Sequence, residues 1–163
     1  MKNDELKVIK KAIIHEIEGY EFYKLASEKA DSLDTKNAFI ELADEELTHI
    51  EWLKKLFNNI DSDKSHKFDL AFIESPESAN VYDWSNLDRR DAALAVSVFG
   101  IAIQMERTSI DFYENAAKNS SVEKAKELYL ILANWEKAHL EHFSERYEEL
   151  REAWWSKQNF APY

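Results

Sequence analysis

The chain has 163 residues, enough for one domain, with 45% apolar residues but only two Gly, two Pro and no Cys. So few turn residues exclude sandwiches, barrels and doubly wound sheets, and the missing cysteine excludes disulfides, thiolate metal sites and a catalytic thiol. A net charge of −11 argues against nucleic acid or an anionic membrane surface as partner.

The N-terminal residues Met1-Lys2-Asn3-Asp4-Glu5 lack an apolar signal core, and no stretch approaches the ~20 apolar residues of a membrane span, so a cytoplasmic location is expected. Helical periodicity begins at Glu5 and runs to Ala30, with Val8, Ile9, Ala12, Ile13, Glu16, Tyr20, Tyr23 and Ser27 on one stripe. A second helix is predicted from Asp34 to Phe57, with candidate N-cap oxygens on Asp31, Ser32 and Asp34. Residues 58–87 contain Pro76 and the aromatics Phe68, Phe72, Tyr82 and Trp84. That segment is too long for a hairpin loop and reads as a crossover packed on the bundle surface. The third helix starts near Asp88 or Asp91 and ends near Lys118; the fourth follows Ser120-Ser121 and passes Leu150. Ser120 and Glu123 have the spacing of a capping box. The tail, 153–163, carries Trp154, Trp155, Phe160, Pro162 and Tyr163 and is expected to dock on its own domain or on a second copy, which makes a homodimer the expected assembly. Short connections fold the helices into two antiparallel hairpins, 5–57 and 88–152. The prediction is a single all-α domain, a four-helix bundle with one long crossover.

An internal repeat tests this scheme. With an offset of 90 residues, Ala12-Ile13 meets Ala102-Ile103, Glu16 meets Glu106, and Phe22-Tyr23 meets Phe112-Tyr113. Leu42-Ala43 then meets Leu132-Ala133, Glu46 meets Glu136, and His49 meets His139. Residues 12–57 share twelve identities with their mates, where roughly three would arise by chance.

Each hairpin thus carries one Glu-x-x-His unit, Glu46 with His49 and Glu136 with His139, and one further Glu on its other helix, Glu16 or Glu106. Residues three apart share a helix face, so one metal ion can reach both side chains of a unit. Di-iron and di-manganese carboxylate bundles are built this way, with a Glu from each of two helices and a Glu-x-x-His from each of the other two. Four buried carboxylates carry −4, which two divalent ions cancel. Oxygen and imidazole donors without thiolates suit iron or manganese, and spacing alone does not choose between them.

A single Glu-x-x-His in a chain with 32 acidic residues would mean little; the weight lies in both units and both single Glu residues falling at one repeat offset. Glu18, Glu21, Glu41, Glu45, Glu51 and Glu141 read as solvated, so Glu45→Ala is expected to change little. His15, His66 and His142 have no histidine mate and read as surface or supporting residues. Tyr23 and Tyr113, two turns after Glu16 and Glu106, read first as core and second as hydrogen-bond donors to the metal ligands or redox-buffering phenols. Trp135 stands where its repeat mate is Glu45, so the surroundings of the site are not fully symmetric.

The pattern A-I-x-x-E-x-x-x-x-x-F-Y at 12–23 and 102–113, with L-A-x-x-E-x-x-H at 42–49 and 132–139, resembles the rubrerythrin branch of the ferritin-like superfamily. The resemblance covers all four helices. It implies a ferritin-like bundle with Glu46 and Glu136 as bridging carboxylates central to catalysis, Glu16 and Glu106 as terminal ones, and His49 and His139 as one imidazole per metal. There are two departures from the family pattern. Rubrerythrins usually carry a cysteine-rich rubredoxin module that feeds electrons to the site, whereas this sequence has no cysteine, and their extra carboxylate, three residues after the first ligand of the third helix, is here Ser109. Its repeat mate is Gly19.

The function expected on these grounds is oxidoreduction by two iron ions that react with peroxide or dioxygen and are reset by an external electron donor. Without a carboxylate at Ser109, the metals are expected to stay in place and peroxide not to be strongly preferred. Iron oxidation for storage, and a metal-bound structural or regulatory bundle without turnover, are the alternatives.

Overall fold

The computed structural model describes residues 2–62 and 87–157, so the crossover (apart from its two ends), His66 and the last six residues of the tail lie outside the described residues. Four helices are present, α1 Lys2–Lys29, α2 Leu33–Asp61, α3 Arg89–Asn119 and α4 Glu123–Lys157. Two three-residue connections, 30–32 and 120–122, turn α1 back along α2 and α3 back along α4. The hairpins pack mainly within themselves and join through α1 against α3 and α2 against α4. The result is a ferritin-like four-helix bundle.

Caps set several of the boundaries. The Ser32 hydroxyl accepts from the Thr35 N–H at 3.1 Å and starts α2; Asp88 accepts from the N–H groups of Arg90 and Asp91 and starts α3. Asp91 is buried and accepts from the N–H groups of Asp31 at 2.7 Å and Ser32 at 3.0 Å, so the first turn of α3 clamps the α1–α2 connection. Burial works against its charge, but these backbone donors outweigh it and hold the Asp91 carboxyl below its ordinary range.

Other boundaries differ from those predicted. Ser120 does not form a capping box: its hydroxyl donates to Glu5 Oε2 at 2.7 Å and accepts from the Val122 N–H. The buried Glu5 carboxylate, which also accepts from the Tyr129 hydroxyl at 2.6 Å, is a better-placed partner than the first turn of α4. Helix α2 continues into the predicted crossover as far as Asp61. Helix α4 continues to Lys157, so Trp154 and Trp155 are exposed helical residues rather than the start of an irregular tail.

The core consists of two apolar clusters. One contains Tyr23, Phe39, Phe99 and Phe143; the other contains Ile9, Leu53, Leu56, Tyr113, Leu128 and Tyr129. Helix α3 is the one described helix long and apolar enough, by length and composition, to cross a membrane, where none was expected. In this bundle its apolar face belongs to the core, with Ala95, Phe99, Ala102 and Tyr113 fully buried on the same helix as Glu106.

Candidate metal centre

All six ligand candidates are buried, Glu16, Glu46, Glu106 and Glu136 at no more than 4% exposure, His49 at 0% and His139 at 7%. Each helix contributes through the stripe that faces the bundle axis: α1 gives Glu16, α2 gives Glu46 and His49, α3 gives Glu106, and α4 gives Glu136 and His139. Their ligand atoms form two groups. Glu16, Glu46, His49 and Glu136 make one, and Glu46, Glu106, Glu136 and His139 the other, with the ligand atoms of each group within 4.8 Å of one another. Glu46 and Glu136 belong to both.

The histidines present Nδ1 to the carboxylates. His49 Nδ1 lies 3.1 Å from Glu16 Oε2 and 3.4 Å from both Glu46 Oε2 and Glu136 Oε1. His139 Nδ1 lies 3.3 Å from Glu136 Oε2 and 3.7 Å from Glu106 Oε1. Neither His139 Nδ1 nor Glu136 Oε1 has a well-formed hydrogen bond among the described residues, although both are fully buried. Buried polar atoms without partners are costly, and a cation between these groups would engage both. The donor set therefore fits a pair of oxygen- and nitrogen-liganded divalent ions.

Two tyrosines close the polar layer, one from each apolar cluster. The Tyr23 hydroxyl donates to Glu106 Oε1 at 3.0 Å and the Tyr113 hydroxyl donates to Glu16 Oε1. Both readings of these phenols hold: each ring packs in an apolar cluster and each hydroxyl donates to a ligand candidate. Burial, then the neighbouring carboxylates, push both phenols well above their ordinary pKa, so they remain donors.

Electrostatics within the centre are unbalanced. Burial and then the Glu136 charge push the Glu46 and Glu106 carboxyls well above their ordinary range. Burial also disfavours charge on Glu136, but hydrogen bonds with His139 and His49 outweigh it and hold that carboxyl well below the ordinary range. The same carboxylates, Glu136 first, raise both histidines despite their burial. Without metal, protons and imidazolium charge offset the carboxylates, and metal ions would displace them.

Space at the centre depends on a glycine. A Cβ added at Gly19, in the middle of α1, would stand 3.2 Å from Glu46 Cδ, so the Glu46 carboxylate rests against bare backbone. Ser109, the repeat mate, is half-buried and lines a surface groove of about 390 Å³ with His15, Glu18 and Met105.

Glu45 corrects an expectation. Glu18, Glu21, Glu41, Glu51 and Glu141 are exposed, as solvated residues should be. Glu45 is only 32% exposed, and its Oε2 lies 2.7 Å from His139 Nε2, so it holds a ligand candidate from behind. Sequence spacing carries no signal for this, since the contact depends on how α2 faces α4, 94 residues away along the chain. At the equivalent place Trp135 packs edge-on against His49, with ring centroids 5.3 Å apart. His142, predicted as a surface or supporting residue, is half-buried beside Phe143 with Nε2 unpaired among the described residues. His15 packs on Phe112.

No curated protein and no solved structure matches the chain. The sequence model of the Rubrerythrin family matches residues 7–147, a span that covers most of both hairpins and all six ligand candidates, and the chain belongs to that family.

Proposed function

We propose that this protein is a dinuclear iron oxidoreductase, with peroxide or dioxygen as oxidant and an external electron donor as reductant. The observation that carries the reading is that two buried four-residue groups share Glu46 and Glu136, an arrangement suited to two adjacent ions rather than one. The donors are carboxylate and imidazole only, which suits iron, with manganese the alternative. Two such ions, held by these six residues, would supply one electron each to a two-electron oxidant.

The chain's own residues set the conditions. Glu46 and Glu136 place negative charge between the two positions. Tyr113 holds Glu16 by Oε1 and leaves Oε2 toward His49, whereas Tyr23 donates to Glu106 Oε1, the oxygen that also faces His139 Nδ1. The two apolar clusters above and below the polar layer keep bulk water from it. Low dielectric there strengthens every charge–charge interaction.

The test is anaerobic loading with Fe²⁺, elemental analysis, then stopped-flow mixing with hydrogen peroxide or dioxygen over repeated cycles of re-reduction. About two irons per chain and repeated oxidation at constant iron content are expected. Iron accumulating far beyond that ratio would instead indicate storage, and no oxidation by either oxidant would leave only a structural or regulatory bundle. Ser109→Glu is expected to shift the preference toward peroxide.

A further inference from the structure

We propose that the two metal positions are unequal and fill in order, the His139 position first, because Glu45 braces His139 while Trp135 packs on His49. This rests on the dinuclear reading and extends it to a positioning residue outside the six ligand candidates.

The two halves of the centre match at every ligand candidate and diverge immediately behind the histidines. His139 presents Nδ1 to Glu106 and Glu136 and has its Nε2 2.7 Å from the Glu45 carboxylate. A neutral imidazole that donates Nε2–H to Glu45 has its lone pair on Nδ1, the atom that faces the other ligands. The carboxylate therefore fixes the tautomer and ring orientation needed for coordination, and its charge makes the imidazole a stronger donor. Phe143 stacks on the same ring at 5.5 Å and limits its rotation.

His49 lies in different surroundings. Its Nδ1 faces Glu16, Glu46 and Glu136, but its Nε2 has no hydrogen-bond partner among the described residues. The ring sits between Trp52 and Trp135, each with its ring centroid 5.3 Å away. Coordination through Nδ1 puts the remaining hydrogen on Nε2, where no carboxylate or carbonyl among the described residues receives it. That unpaired buried donor weakens the position. Position 52 adds to the contrast, since the repeat mate of Trp52 is His142.

Glu45 is thus a positioning residue acting through His139. Loss of an outer partner of this kind typically costs about 10- to 100-fold in metal affinity.

The experiment is titration of the metal-free full chain with Co²⁺, followed by its visible ligand-field absorption, with circular dichroism to show that each variant is folded. Wild type should take up two ions in two resolved phases. His139→Ala should remove the first phase and His49→Ala the second. Glu45→Ala should weaken the first phase by about 10- to 100-fold and move the second much less. Glu45→Gln keeps an acceptor oxygen without the charge, so it should restore most of the affinity while still shifting the absorption of the first ion alone. A structural role for Glu45 would not produce that selective spectral shift. Equal affinities in wild type, loss of the first phase in His49→Ala, or equal shifts of both phases in Glu45→Ala would overturn the ordering. Failure of wild type to bind Co²⁺ at all would overturn the dinuclear reading itself, and so the two failures are distinct.

Discussion

The Tyr23 hydroxyl on α1 donates to Glu106 on α3 at 3.0 Å, so a residue of the first hairpin holds a ligand candidate of the second. The repeat makes this reciprocal, since Tyr113 on α3 donates to Glu16 on α1. Each hairpin supplies a carboxylate and the phenol that steadies its counterpart. The centre is therefore assembled only when the hairpins have docked.

Tyr23→Phe and Tyr113→Phe should destabilise the metal-free protein by similar amounts, about 1–3 kcal/mol each, because each removes a buried donor to a carboxylate. Urea denaturation of the metal-free variants measures this. A loss confined to one tyrosine would show that the reciprocal bonds are not energetically matched.

Stability of the metal-free protein should fall as pH rises. Glu46 and Glu106 have folded values above their unfolded ones, so the folded state holds more protons and loses ground as pH climbs from about 4.5 through those raised values. His49 and His139 are also raised; their contribution is complete below about 6.5 and disappears as pH passes their folded values. Glu136 acts oppositely, being depressed, and its contribution fades only as pH drops below about 4.5 toward its folded value. The metal-free protein should thus be most stable near pH ~5 and decline above it, whereas metal loading should stabilise it more at higher pH as binding releases protons. Thermal melts of both forms between about pH 5 and 8 test this. A metal-free melting temperature that rises across that range would contradict the assignment.

Glu46→Ala and Glu136→Ala should each abolish the binding of a second ion, and to a similar extent, because each removes a carboxylate common to both groups. Glu16→Ala and Glu106→Ala should each weaken one position and spare the other. Elemental analysis after anaerobic loading distinguishes the two patterns.

Gly19→Ala poses two effects against each other. Alanine raises helix propensity by roughly 1 kcal/mol. Its Cβ would stand 3.2 Å from Glu46 Cδ, so the carboxylate must move by a few tenths of an ångström. The expected result is a metal-free protein of equal or higher stability that binds metal less tightly, read from melts and Co²⁺ titration. Unchanged metal binding would mean that Glu46 has slack at that contact.

Much of this centre was legible in the sequence because it follows helical spacing and a repeat. Glu16, Glu46, His49 and their mates could be placed on inward stripes without knowing how the hairpins dock. The Ser32 cap was readable because it is local. What escaped depends on contacts between helices. The role of Glu45 requires knowing that α2 turns position 45 toward α4, and the Ser120 hydroxyl is claimed by Glu5, 115 residues away in sequence. The end of α4 was misplaced because Trp154 and Trp155 suggest an apolar docking tail, although they continue a helix in which both are exposed.

Gly19 has a consequence for which substitutions such a site accepts. Three residues beyond its single Glu, each half of the repeat has an equivalent position, 19 on α1 and 109 on α3. At 19 even a methyl group crowds Glu46, so that half is closed to any larger residue unless Glu46 gives way. At 109 a serine already has room, beside an open groove. The two halves of the repeat are therefore unequal at this position, 19 being closed by Glu46 while 109 borders a groove.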